Sequence, residues 1–262
     1  MKPAKDKIHF VAPYLLNPTN PVSVNLIGAG GTGSQVLTSL ARMNYALNNL
    51  GHAGLSVTIF DPDSVEQPNL GRQLFSEHEI GMNKAVVISN RVNRFFGTNW
   101  KGIPQRFPSP LDTNDINCMA NITLSCVDSV SSRREIGESL DKFSRNFSHR
   151  DNPLYWMDFG NSRDSGQVLL CSLGKIAQPK SRIFETVPVL PPFISAFQSE
   201  HSEVDEPSCS LAQALGKQDL FINSTIANLG ASLFWSMLRE GMLKYKGFYL
   251  NLKDFKTQPI RL

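Results

Sequence analysis

Hydrophobic positions along this chain follow two rhythms in turn. Val22-Ser23-Val24-Asn25-Leu26-Ile27 is short and nearly unbroken, as a strand buried on both faces is. It runs directly into Gly28-Ala29-Gly30-Gly31-Thr32-Gly33, after which Val36, Leu40, Met43, Leu47 and Leu50 recur at steps of 4, 3, 4 and 3. That spacing lays one apolar stripe along a helix, and Gly51 stands where a helix commonly stops. Residues 55–60 read as a second strand that ends at Asp61. Further strands are expected near 100–107, 121–127, 154–159 and 167–173, with an amphipathic helix carried by Ile136, Leu140, Phe143 and Phe147. Strands alternating with helices predict an α/β fold: a Rossmann-like parallel sheet with helices on both faces.

The flanks read differently. Residues 1–21 form an N-terminal extension punctuated by Pro and Asn, where Ile8-His9-Phe10-Val11 fits an added edge strand. The nucleotide-binding-type alternation occupies 22–173. Residues 174–206 are rich in Pro, Ser and Glu, with Pro188, Pro191 and Pro192 close together, and read as a long crossover loop. Loops of that length inside compact domains are usually functional or mobile. Residues 207–262 carry a helix marked by Ile222, Ile226, Leu229, Leu233 and Met237, then a weakly alternating tail good for one or two strands packed on the same domain.

Composition narrows the class. The 262 residues are 41% hydrophobic and 19% charged, an ordinary globule rather than a disordered chain. The balance of 26 basic against 23 acidic residues, net +3, gives no support for a nucleic-acid or membrane partner. No apolar run approaches the roughly 18 residues of a membrane span. The start, MKPAKDKIHF, lacks a signal peptide's apolar core, so the expected location is the cytoplasm. The four cysteines, at 118, 126, 171 and 209, form no C-x-x-C pair, and no zinc site of the usual spacing is expected. Cys118, Cys126 and Cys171 read as small buried hydrophobes.

The candidate chemistry begins at Gly28-x-Gly30-x-x-Gly33, between a strand and a helix. The first glycine permits a tight turn, the second lets a phosphate approach the backbone, and the third lets the helix pack on the strand. The helix start then offers free N–H groups and a positive dipole end. Asp61 is placed to hold ribose hydroxyls, although later than the usual ~20-residue offset. Glycine turn and Asp61 alone fit a nicotinamide or flavin enzyme equally well. The next block, Asp61-Pro62-Asp63-Ser64-Val65-Glu66-Gln67-Pro68-Asn69-Leu70-Gly71-Arg72-Gln73 and on through Ile80-Gly81 to Lys84, changes the balance. A site that handles a triphosphate needs cations such as Arg72 and Lys84 in a dry cleft; a solvated polar loop is the plainer alternative.

The pattern D-x-D-x-V-x-x-x-N-L-x-R-Q, then I-G-x-x-K, resembles the ThiF/MoeB/HesA superfamily of ubiquitin-activating-type adenylating enzymes. Ser125-Cys126-Val127-Asp128-Ser129, with Arg133 five residues after Asp128, and the preceding glycine turn extend the resemblance over roughly residues 22–172. Pro207-Ser208-Cys209-Ser210 and Asn223-Ser224-Thr225-Ile226-Ala227-Asn228 look like the ThiF-type proteins of PRTRC gene cassettes of bacterial plasmids and mobile elements. The resemblance implies ATP-dependent adenylation: the C-terminal carboxylate of a small β-grasp ubiquitin-like or sulfur-carrier protein attacks the α-phosphate, and pyrophosphate leaves. By similarity, Gly28, Gly30, Gly31 and Gly33 line the phosphates and Asp61 holds the ribose. Asn69, Arg72, Gln73 and Lys84 surround the phosphates, and Asp128 ligates Mg2+. A helix N-cap before Val130 would also account for Asp128. Cys209 stands where relatives that pass the carrier onward form a thioester or acyl-disulfide, and an inert buried cysteine is the alternative.

The chain departs from the superfamily in two ways. It lacks the two C-x-x-C pairs that bind structural zinc in many relatives. It also has no arginine before Arg42 to reach into a partner subunit, so Lys2, Lys5, Lys7 or Arg42 would substitute, or the finger comes from elsewhere. A homodimer is what the resemblance implies. Two other classes stay open: a catalytically silent adaptor for a ubiquitin-like carrier or a conjugating enzyme, and an NAD(P)-dependent oxidoreductase.

Overall fold

A computed structural model describes residues 5–107, 118–146, 150–192 and 218–262. The chain opens with a short strand, β1 (Lys7–Phe10), set apart from the main sheet. It then builds five parallel strands: β2 (Val22–Ile27), β3 (Leu55–Phe60), β4 (Lys101–Ile103), β5 (Ile122–Ser125) and β6 (Tyr155–Asn161). Their spatial order is β4-β3-β2-β5-β6, so the chain reverses direction across the sheet between β4 and β5. Such a switch opens a crevice at the carboxyl ends of the strands, where ligands of open α/β sheets bind.

The parallel rule stops at β6. Only residues 162–164 separate it from β7 (Ser165–Ser172), too few for a parallel crossover, and the two strands pair antiparallel. After β8 (Glu185–Thr186) and β9 (Met242–Leu243), the chain adds β10 (Tyr245–Asn251) and β11 (Lys256–Arg261) antiparallel beyond β7. The Rossmann-like parallel sheet expected is thus the larger part of a mixed eight-stranded sheet, order β11-β10-β7-β6-β5-β2-β3-β4. The tail supplies both strands allowed for it.

Among the described residues four α-helices cover the sheet: α1 (Gly31–Asn49), α2 (Lys84–Phe96), α3 (Val130–Asn146) and α4 (Ile222–Glu240). Strand alternation decides which face each one covers. Val24, Leu26, Tyr155, Met157 and Phe159 share a core with Leu37 and Leu40 of α1, Ile88 of α2 and Ile226 and Phe234 of α4. Ile27, Trp156, Leu169 and Cys171 face the other way, onto Ile136, Leu140 and Phe143 of α3. Phe147, the fourth residue of the α3 stripe, lies outside the described residues. No helix among the described residues is long and apolar enough to cross a membrane.

Two elements differ from the sequence reading. Residues 84–96 were not expected to be helical, yet Asn83 caps α2 by accepting a hydrogen bond from the Val86 N–H, and Gly97 ends it at φ 70°. β1 is no edge strand. It is the middle of a three-stranded sheet, between β8 of the proline-rich segment and β9 at the end of α4. Buried His9 fastens this layer to the main sheet. Its Nδ1 faces the Val187 carbonyl at 2.6 Å, and its Nε2 faces the Tyr155 hydroxyl at 2.8 Å. That hydroxyl also accepts from the Ala12 N–H.

Candidate active site

The glycine turn is built as its spacing requires. Gly28 has φ +90°, and a Cβ there would fall 2.7 Å from the Cys126 carbonyl oxygen. A Cβ on Gly33 would lie 1.8 Å from the Gly28 carbonyl oxygen, so only glycine lets α1 start this close to β2. The N-cap position of α1, Gly30, has no side chain to cap it, and the first turn carries no acidic residue. The leading N–H groups and the positive end of this 19-residue helix thus have no N-cap side chain among the described residues.

Paired residues Ile27, Phe60 and Ser125 end their strands side by side, so the segments after them emerge along one edge. Asp61, directly after β3, is buried. Its Oδ2 accepts from the Ala29 N–H at 2.6 Å and its Oδ1 from the Asp63 N–H at 2.8 Å. Burial pushes its carboxyl above the usual carboxylate range, partly offset by those two N–H donors. Lys84, the first residue of α2, is also buried, and its Nζ pairs with Asp63 Oδ2 at 3.2 Å. Asn69 is buried, and its Oδ1 accepts from the Glu66 N–H, which shapes the turn that delivers Arg72 and Gln73. Gln73 is 9% exposed, and its Oε1 has no hydrogen-bond partner among the described residues. Its carboxamide lies about 4 Å from where a Cβ on Gly30 would stand (3.9 and 4.0 Å). An unsatisfied buried amide beside an uncapped helix start is costly unless a ligand completes it.

The third segment, after β5, is held by Arg133. Its Nε binds Asp158 at 3.0 Å, and its Nη2 donates to the Val127 carbonyl at 2.6 Å. Ser125 Oγ donates to the same carboxylate, and Trp156 Nε1 donates to Ser125 Oγ. The start of α3 is capped by Ser129, whose Oγ accepts from the Ser132 N–H. The capping role weighed for Asp128 thus belongs to its neighbour, and Asp128 is exposed at the sheet edge. Cys118 and Cys171 are buried as expected, whereas Cys126 is only half-buried. Cys209 lies outside the described residues.

Two polar residues of the C-terminal half join the site without having been candidates. Half-buried Gln218 accepts from Arg72 Nη1 through its Oε1, and Asn223 Nδ2 donates to the same oxygen at 2.9 Å. Asn223 Oδ1 then accepts from Thr32 Oγ1 at 2.9 Å and Asn161 Nδ2 at 3.2 Å. Their signal in the sequence was faint: Asn223 stands out only within a family-like run, and it opens a helix with its side chain buried.

This is a Rossmann-like domain with a glycine turn and a helix start at its switch point. Residues 15–258 match the family described as ThiF family, and the chain belongs to that family. Curated relatives include the ubiquitin-like modifier-activating enzyme 5 of Culex quinquefasciatus, 25% identical over 169 residues, 59% of this chain and 38% of that protein. The NEDD8-activating enzyme E1 catalytic subunit of Dictyostelium discoideum is 29% identical over 132 residues, 49% of this chain and 27% of that one. Among solved structures, PaaA superposes with TM-score 0.60 at 13% identity, covering 92% of this chain and 64% of its own. E. coli MccB with ATP gives 0.57 at 17% identity, covering 94% and 64%. The chain thus spans well under half of these curated relatives and about two-thirds of the solved chains. At such identities the structural likeness establishes the fold.

Proposed function

We propose that this protein is an adenylating enzyme that uses ATP to activate the C-terminal carboxylate of a small ubiquitin-like or sulfur-carrier protein. The observation that carries the reading is one sheet edge where the uncapped start of α1, the unsatisfied Gln73 amide, the cations Arg72 and Lys84 and the exposed Asp128 carboxylate all emerge. Family membership, the activating-enzyme relatives and the likeness to MccB with ATP support it.

The residues suit the reaction. A carboxylate is a poor nucleophile toward a polyphosphate, so the two anions must be aligned and their repulsion offset. Gly28, Gly30, Gly31 and Gly33 shape the turn for the phosphates, and Arg72 and Lys84 supply positive charge. Gln73 can turn its amide donor to a phosphate oxygen, and Asn69 holds the turn that carries it. Each Asp61 oxygen accepts one backbone N–H and keeps a lone pair for a ribose hydroxyl. No group of three or more His, Cys, Asp or Glu placed to hold a metal occurs among the described residues. A lone Asp128 fits Mg2+, which commonly takes one or two carboxylates together with substrate phosphates and supplies charge neutralisation there. The carrier carboxylate attacks the α-phosphorus, the bond to the bridging oxygen breaks, and pyrophosphate departs with the electron pair. Cys209 then takes the acyl group as a thioester, with AMP leaving. A homodimer completes the reading.

Pyrophosphate–ATP exchange with candidate carriers tests the proposal. Exchange that needs both carrier and Mg2+ is expected; carrier binding without exchange would make the protein an adaptor. Cys209→Ser should keep exchange and lose any thiol-sensitive conjugate.

A further inference from the structure

The amide groups around Arg72 can be oriented by donor logic alone. An arginine only donates, so the Gln218 atom that faces it must be the oxygen. Asn223 must then present its Nδ2 to that oxygen, which leaves Oδ1 for Thr32 Oγ1 and the Asn161 amide. Two donors, one of them charged, therefore converge on a single acceptor atom, Gln218 Oε1. The arrangement is built into the phosphate turn itself. A Cβ on Gly31 would sit 2.6 Å from the Asn223 side chain, so the glycine at 31 is what admits Asn223. Thr32, Asn223's partner, is in the first turn of α1, at the positive end of the helix. An acceptor held by a guanidinium and an amide N–H receives the donors that a phosphate oxygen takes.

We propose that Arg72 and Asn223 form an anion subsite for a phosphate oxygen, and that Gln218 Oε1 fills it as an internal stand-in until the phosphate displaces it. This rests on the nucleotide reading above and adds a binding residue, Asn223, that lies outside the superfamily motif. Displacement frees the Gln218 side chain from Arg72 and Asn223. A neutral amide oxygen is a weaker acceptor than a phosphate, so the exchange runs toward ligand. It still reduces affinity, because a competent site must first be vacated.

The test is calorimetric titration of the full chain with α,β-methylene-ATP and, separately, with inorganic pyrophosphate, comparing Gln218→Ala and Gln218→Glu with the unaltered protein. Removing the stand-in should tighten binding about tenfold, the effect of deleting one charge-assisted competitor. The Glu variant, pairing with Arg72, should weaken it at least as much. Equal or weaker binding by Gln218→Ala overturns the proposal and leaves the nucleotide reading standing. The predicted order with pyrophosphate, but no binding of the ATP analogue, upholds the subsite and removes ATP. No binding of either probe to any of the three proteins overturns both.

Discussion

Asp128 and Arg133 stand five residues apart and do opposite kinds of work. Asp128 is exposed and carries no cap, so its loss should cost activity and little else. Asp128→Ala is expected to lower pyrophosphate–ATP exchange by ~10²–10³, the usual effect of losing one preorganised charge contact. Its thermal midpoint should match that of the unaltered chain, and a large drop in that midpoint would assign Asp128 to the fold. Arg133 is buried against Asp158 and ties the Val127 carbonyl to β6. Arg133→Met leaves the fully buried Asp158 carboxylate without its cation. That should cost roughly 3–5 kcal/mol in denaturant unfolding, and a cost below about 1 kcal/mol would contradict the role given to the pair. The sequence brought Arg133 into view only as part of a motif. Its work depends on Asp158, 25 residues further on, and that pairing is set by the β5–β6 register, in which Ser125 lies opposite Asp158. Gln73 likewise comes into view only through the motif, although the turn that delivers it is local, closed by the Asn69–Glu66 hydrogen bond.

Elements whose partners are near in sequence were the readable ones. β2, the glycine turn and α1 follow one another, and each is specified by its own period. α2 is harder to read, because polar Asn83, Lys84, Ser89, Asn90 and Arg91 interrupt its short apolar stripe. Yet Ala85, Ile88 and Val92 are buried at helical spacing behind the Asn83 cap. The small sheet is harder to read for a different reason: β1 is legible as a strand, but its partner β8 lies some 180 positions away and spans only Glu185–Thr186. His9 makes that junction sensitive to pH. Burial lowers its pKa below the ordinary 6.5, and its bonds suit the neutral ring, with Nδ1–H donating to Val187 and Nε2 accepting from Tyr155. The unfolded chain then takes up the proton first as pH falls through 6.5, so the folded state binds fewer protons and loses stability. Unfolding free energy measured from pH 7.5 to 5 should decline below about 6.5, and His9→Gln should flatten that decline. An unchanged slope in the variant would assign it to other groups.

At the scale of the molecule, the sheet separates the work. Five parallel strands place three loops on one edge, and three antiparallel strands extend the sheet beyond β6. Composition and alternation foretold the first part. The strands of the second part were foretold as well, but their antiparallel direction depended on the short 162–164 turn. α4 then joins the halves. It packs along α1 and brings Asn223 onto the glycine turn, so a C-terminal residue meets a motif that ends at Arg133. The central claim is that this edge joins a nucleotide to a protein's tail. Intact-mass spectrometry of a small β-grasp carrier, after incubation with this protein, ATP and Mg2+, tests it directly. The carrier should gain one adenylyl group, lost again when hydroxylamine is added. A carrier of unchanged mass, in a mixture where the protein demonstrably binds both carrier and ATP, would contradict the account.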